Sequence, residues 1–77
     1  MVKVYSSDNC RYCRDLKAYL EKKNIPYETF DVAKNESYAR EMQSVSGQSA
    51  IPVTVIGDEI IIGFDIAKID KALSNIN

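Results

Sequence analysis

The sequence predicts an α/β domain, a mixed four-stranded sheet covered by three helices in the order β-α-β-α-β-β-α. Three observations point there. Two strand-like segments bracket a helix-spaced one near the N-terminus, the pattern of a parallel β-α-β unit with a right-handed crossover. Gly57-Asp58 divides two apolar runs, "IPVTVI" and "EIII", as a hairpin turn would. The chain then closes on apolar residues at helical spacing. With 77 residues there is room for a single domain, spanning 1–77.

The first strand is "VKVYS", Val2 to Ser6, where apolar and polar residues alternate in a β-rich composition. Cys13, Leu16 and Leu20 follow at i, i+3 and i+7 and mark one helix face; Arg14, Asp15, Lys17, Glu21 and Lys22 take the other. This helix is expected to start near Cys10, with Asp8 or Asn9 as N-cap, and to stop before Pro26. "PYETFDV", Pro26 to Val32, reads as the second strand, with Tyr27, Thr29 and Asp31 alternating against Glu28, Phe30 and Val32. Between Asn35 and Val45 the apolar positions Tyr38, Met42 and Val45 return to helical spacing, with Gly47 as the stop. After the hairpin, Ile66, Ile69, Leu73 and Ile76 share a face of the last helix, and Asp65 is its expected N-cap. Tyr5, Tyr27 and Phe30 are assigned to sheet and core packing.

Composition narrows the function. The 45% hydrophobic and 27% charged content fits a globular domain. Ten basic and eleven acidic residues give a net charge of −1 with no block of like charge, so no nucleic-acid partner is expected. The apolar runs are too short to span a membrane, and the start lacks a basic region followed by a long apolar stretch. The expected location is therefore cytoplasmic, a reducing compartment where a disulfide is more often catalytic than structural.

The only two cysteines, Cys10 and Cys13, lie in "SSDNCRYCRDL", and there is no histidine. This excludes Cys–His nucleophile pairs and mixed Cys/His zinc fingers within one chain. A C-x-x-C pair after the first strand of a β-α-β unit is a specific redox signal. A sulfur at the helix start meets backbone N–H groups that have no intrahelical partner, and the helix dipole favours a thiolate there. Arg11 and Arg14 add positive charge, opposed by Asp8 and Asp15. Cys13, one turn in on the apolar face, is expected to be buried. On this asymmetry Cys10 attacks and Cys13 resolves. Two readings stay beside it: a pair of buried structural cysteines, and a metal site completed by another subunit's thiolates. A structural disulfide across so short a loop would add little stability. In "SAIPV", Pro52 is open to a trans peptide at a strand edge or a cis one in a tight turn.

Strand, C-x-x-C helix, strand, helix, "IPV" strand, Gly-Asp hairpin and "GFD" helix together resemble the glutaredoxin branch of the thioredoxin superfamily, over essentially the whole chain. The Tyr12-Cys13 ending of the motif is typical of it. The resemblance implies a thioredoxin-like fold, a cis Pro52 beside the nucleophilic sulfur, and an Ile51 backbone that pairs with a bound peptide or glutathione. It also places "GFD", Gly63-Phe64-Asp65, near the same groove. The substrate-binding residues expected are Arg11, Tyr12, Gln48, Ile51, Pro52, Phe64 and Asp65, with a core role for Phe64 as the alternative. No metal or other bound cofactor is expected, and the active group is the Cys10-Cys13 disulfide.

Departures from the glutathione-using pattern bear on the electron donor. Such glutaredoxins usually carry Lys three residues before the first cysteine, where this chain has Ser7. They usually have Gly-Gly before the last helix and two polar residues at its start; the matching positions are Ile62-Gly63 and Asp65-Ile66. Charge-assisted bonds lost in this way are worth roughly 1.5–3 kcal/mol each. Redoxins reduced by thioredoxin reductase, including those serving ribonucleotide reductase, show similar losses. The Cys-Val-Gln-Cys centre and "W-S-G-F-R-P" segment common in the latter are nevertheless absent. The expected function is reduction of protein disulfides, ribonucleotide reductase among the candidate targets, by a monomer recycled by thioredoxin reductase. A glutathione-dependent glutaredoxin, with glutathione as co-substrate, is the alternative; a metal or iron–sulfur carrier is the alternative of another class.

Overall fold

A computed structural model describes residues 2–75. The elements are β1 (Val2–Ser6), α1 (Arg11–Lys22), β2 (Glu28–Asp31), α2 (Glu36–Ser46), β3 (Val53–Ile56), β4 (Glu59–Ile62) and α3 (Ile66–Asn75). The sheet runs β2-β1-β3-β4, with β1 and β2 parallel and the other neighbours antiparallel. The expected element order and mixed sheet are therefore present. No helix among the described residues is long and apolar enough to cross a membrane.

Strand alternation divides the core in two. On one face Val2, Val4, Ile56 and Ile61 pack with Leu16 and Leu20 of α1 and Ile69 and Ala72 of α3. On the other, Tyr5 and Val53 pack with Met42 of α2. Burying a side chain such as Leu16 or Leu20 stabilises the fold by about 1.5–3 kcal/mol. Tyr5 and Phe30 face each other in register across β1 and β2, their rings stacked with centroids 5.2 Å apart. Tyr38 then closes on the Phe30 ring edge-on at 5.1 Å. The packing roles assigned to Tyr5 and Phe30 hold.

Four expectations need correction. The N-cap of α1 is Cys10 itself, in place of Asp8 or Asn9. Asp8 is drawn away by Lys34, whose Nζ lies 2.8 Å from its Oδ2. The second strand is Glu28–Asp31 only, because the pairing with β1 spans Lys3↔Glu28 to Ser6↔Asp31 and Pro26 has no N–H to give. Val45 and Ile66 are 39% and 43% exposed, so the buried stripes of α2 and α3 narrow to Met42 and to Ile69 with Ala72. Ile76 lies outside the described residues. Gly47 ends α2 at φ 72°, as expected, and the start of α2 is capped by the Asn35 side chain, which accepts from the Ser37 N–H at 2.9 Å.

Candidate active site

The sheet brings three chain segments to one end. β1 leaves it at Ser6 and enters the loop to Cys10. The pairing of Tyr5 with Val53 sets Pro52 level with Ser6, and that of Val53 with Ile62 delivers Gly63-Phe64-Asp65 beside them. The Gly63 N–H donates to the Pro52 carbonyl at 2.8 Å, extending the hairpin ladder to this end. Gly63 has φ 83°, a conformation that favours glycine, and it turns the chain into α3.

Cys10 has extended backbone angles, φ −115° and ψ 113°, and its carbonyl accepts the first α1 bond from the Arg14 N–H at 3.1 Å. Its sulfur accepts from the Cys13 N–H at 3.2 Å. The first turn of α1 carries no acidic residue, so the partial positive charge at its N-terminus faces the sulfur unopposed. The two nearby acids each have a cation. Asp8 is paired with Lys34, whose hydrogen bond holds the Asp8 carboxyl below its usual range, and Asp15 lies 4.0 Å from Arg11. Cys13 is completely buried, whereas Cys10 is half-buried. The cysteines form a disulfide with Cα atoms 5.2 Å apart. This arrangement opens one sulfur to an attacking thiol and shields the other.

The Ile51-Pro52 peptide is cis, as the resemblance implied. The Ile51 side chain packs toward Tyr5, Met42 and Val53. Its backbone N–H and carbonyl have no hydrogen-bond partner among the described residues, leaving them open to an extended chain.

The Glutaredoxin family model matches residues 2–61. The chain belongs to the glutaredoxin family. This glutaredoxin is 42% identical over 73 residues to an uncharacterized glutaredoxin-like 8.6 kDa protein in the rubredoxin operon of Clostridium pasteurianum, covering 95% of this chain and 97% of that one. It is 33% identical over 76 residues to N-acetyl-S-hydroxy-L-cysteine reductase of Bacillus subtilis, covering 94% and 82%. The NrdH-redoxin of Escherichia coli has the same fold, with a TM-score of 0.83 at 23% identity over 91% of each chain. The family and the paired cysteines make the protein a thiol–disulfide oxidoreductase.

The other expected site residues separate into two groups. Tyr12 and Arg11 stand open beside Cys10, Tyr12 being 62% exposed. Pro52 is buried at the sheet end, and Ile51 is half-buried next to it. The remaining three are engaged within the glutaredoxin itself. The Gln48 amide donates to Ser46 Oγ and to the Ala50 carbonyl, each at 3.1 Å, and its oxygen accepts from the Ala50 N–H at 2.6 Å. Gln48 thus braces the loop that leads into Ile51-Pro52. Asp65 caps α3 by accepting from the Lys68 N–H at 3.1 Å. Phe64 packs against the core and meets the Tyr19 ring edge-on at 6.2 Å. Lys34 was not singled out from sequence. It reaches the active-site loop from the β2–α2 connection through Asp8, a long-range ion pair with no local sequence signal.

Proposed function

We propose that this glutaredoxin reduces protein disulfides and takes its electrons from thioredoxin reductase, with Cys10 as nucleophile and Cys13 as resolving thiol. The supporting observation is the state of the polar groups around the disulfide. Ser7 and Ile66 carry no charge where glutathione's ends would be held, and the side chains of Gln48 and Asp65 are taken up by Ser46, Ala50 and Lys68. Exposed apolar side chains lie on the segments that meet at this end: Tyr12, Ile62 and Ile66 are 62%, 48% and 43% exposed. Such a surface suits a protein partner better than a short charged peptide.

The Cys10 thiolate attacks one sulfur of the target disulfide, and the other sulfur leaves as a thiolate that takes a proton from water. Cys13 loses its proton and attacks Cys10 in the mixed disulfide, expelling the second target sulfur. The Cys10-Cys13 disulfide that results is opened again by the donor's dithiol. The free Ile51 backbone pairs with the target strand in the register that the family resemblance implies. A cytoplasmic, reducing location fits this cycle.

A coupled assay separates the donors. NADPH with thioredoxin reductase is compared with glutathione, glutathione reductase and NADPH, using insulin and oxidised ribonucleotide reductase as targets. Faster turnover with thioredoxin reductase supports the reading; turnover carried by glutathione alone overturns it. The name of the Bacillus subtilis relative makes a sulfenylated N-acetylcysteine a useful small-molecule comparison, one that a protein-disulfide reductase turns over less well than insulin.

A further inference from the structure

One side chain holds both main-chain polar groups of Ala50. Gln48 Oε1 accepts from the Ala50 N–H at 2.6 Å, and Gln48 Nε2 donates to the Ala50 carbonyl at 3.1 Å. Chemistry fixes which end of the amide faces which group, because an N–H can only donate and a carbonyl can only accept. The amide is steadied in turn by α2. Its Nε2 also donates to Ser46 Oγ at 3.1 Å, and the Ser46 hydroxyl donates to the Met42 carbonyl at 2.6 Å. Residues 47–52 belong to no helix or strand, so these bonds stand where a ladder would otherwise order the chain.

The hold on Ala50 reaches Ile51 through one peptide plane. The Ala50 carbonyl and the Ile51 N–H belong to the same trans peptide, so they point in opposite directions and turn together. Fixing the carbonyl on Gln48 Nε2 therefore fixes the Ile51 N–H to point away from Gln48. Two further anchors secure the residue. Its side chain packs on Tyr5, Met42 and Val53, and downstream the Pro52 carbonyl accepts from the Gly63 N–H at 2.8 Å. Between these fixed points the Ile51 N–H and carbonyl have no partner among the described residues.

We propose that Gln48 is a positioning residue for the target: by holding the Ala50 carbonyl it presents the Ile51 N–H to the main chain of an extended peptide that carries the disulfide. This rests on the reading above that the Ile51 backbone pairs with the target. It adds the side chain that prepares the pairing and the class of substrate that feels it. A loop ordered in advance spares binding the entropy of ordering it, so the bond to Ala50 is expressed as reactivity toward peptides. A disulfide without peptide groups has nothing to pair with Ile51 and gains nothing from Gln48. The Gln48 amide bonds run to Ser46 and Ala50, so its influence on the cysteines passes through the bound target.

The test is a single turnover of reduced protein with no reductase and no glutathione, so its result is independent of the donor proposed above. The substrates are the disulfide-linked dimer of a short uncharged peptide with a central cysteine, and bis(2-hydroxyethyl) disulfide. The Cys10-Cys13 dithiol forms its disulfide, and the substrate disulfide takes the two electrons and two protons to become two thiols. Each rate constant is divided by that of dithiothreitol with the same disulfide, which removes the difference in leaving group. On this scale the parent should favour the peptide. Gln48→Glu keeps the size of the side chain and can accept from the Ala50 N–H, but it cannot donate to the Ala50 carbonyl. Its ratio of peptide to small-disulfide rate should fall about tenfold, the worth of one hydrogen bond. Gln48→Ala lacks both bonds and should fall at least as far, with Cys10 alkylation within twofold of the parent. A Gln48→Glu variant that keeps the parent's ratio, or that loses rate equally on both disulfides, overturns the proposal and leaves the reading of Ile51 standing. A parent with no preference for the peptide overturns that reading, and this proposal with it. If neither variant folds, amide hydrogen exchange in the parent decides. An Ala50 N–H exchanging at least tenfold more slowly than that of Ile51 supports the brace, and equal rates refute it.

Discussion

The backbone N–H of Cys13 donates to the sulfur of Cys10 across 3.2 Å, so the N-cap of α1 is the half-exposed cysteine of the redox pair. One contact joins three levels of organisation. It satisfies a backbone donor that the helix leaves orphaned, fixes the direction of the first turn, and stabilises negative charge on the Cys10 sulfur more than it stabilises a thiol.

The contact gives the cysteine substitutions different consequences. Serine is among the preferred N-caps, so Cys10→Ser should fold with α1 intact while losing turnover and rapid alkylation near neutral pH. Cys13→Ser should keep a reactive thiol and accumulate mixed disulfides with targets, resolved by non-reducing electrophoresis and mass. If instead the Cys10→Ser variant traps targets through Cys13, the roles are reversed.

Arg11 tests how far an exposed charge tunes the pair. Its guanidinium side chain is 84% exposed and lies 4.0 Å from Asp15, so solvent screens most of its effect on the sulfur. The parent potential should fall in the glutaredoxin-to-thioredoxin range, roughly −200 to −270 mV. Arg11→Glu destabilises the thiolate, and with it the reduced form, and should lower the potential by roughly 10 to 40 mV. Equilibration against glutathione buffers reads it. A higher potential for the variant would contradict the electrostatic argument.

Sequence periodicity was enough to find Cys13, Leu16 and Leu20 as one buried face, because a helix repeats its contacts at fixed spacing. It named the faces of α2 and α3 too broadly, since spacing does not say how far the opposing sheet extends, and Val45 and Ile66 emerge at the edges. The N-cap was misassigned because propensity favours Asp8 or Asn9, while the competing claim on Asp8 comes from Lys34 in another part of the chain. Residue type alone could not show that the Gln48 amide bonds Ser46 and Ala50. That the buried Thr54 hydroxyl lacks a partner among the described residues is visible only in three dimensions.

Tyr5 gives the fold an alkaline limit. Burial, then the hydrogen bond its hydroxyl donates to Glu41, pushes its pKa up to about 12. In the unfolded chain the phenol ionises near pH 10. The raised folded value means the contribution of Tyr5 to stability is complete below about pH 10 and is lost as pH rises toward 12. That contribution is on the order of 2 kcal/mol. Tyr5→Phe should therefore show a shallower fall of the urea midpoint between pH 10 and 12 than the parent. Equal slopes would show that the phenol is not held neutral by the fold.

The electron donor turns on two positions that lack charge. A glutathione site must hold the charged ends of a short peptide, and an end left without a partner loses roughly 1.5–3 kcal/mol of charge-assisted bonding. Ser7 borders the Asp8–Lys34 pair, and the Lys34 charge there is already bound to a carboxylate 2.8 Å away. Ile66 is the first residue of α3, directly after the Asp65 cap, and is exposed. An acid at that position suits a helix N-terminus, so Ile66→Asp should fold without loss of stability. Ser7→Lys adds a cation to an exposed loop and should be equally well tolerated. The double variant restores both charges and should raise glutathione-dependent turnover by about a hundredfold, the equivalent of roughly 3 kcal/mol, with the gain appearing mainly in the KM for glutathione. A parent that already matches an ordinary glutaredoxin with glutathione, or a double variant that gains nothing, would make glutathione the better candidate for the donor.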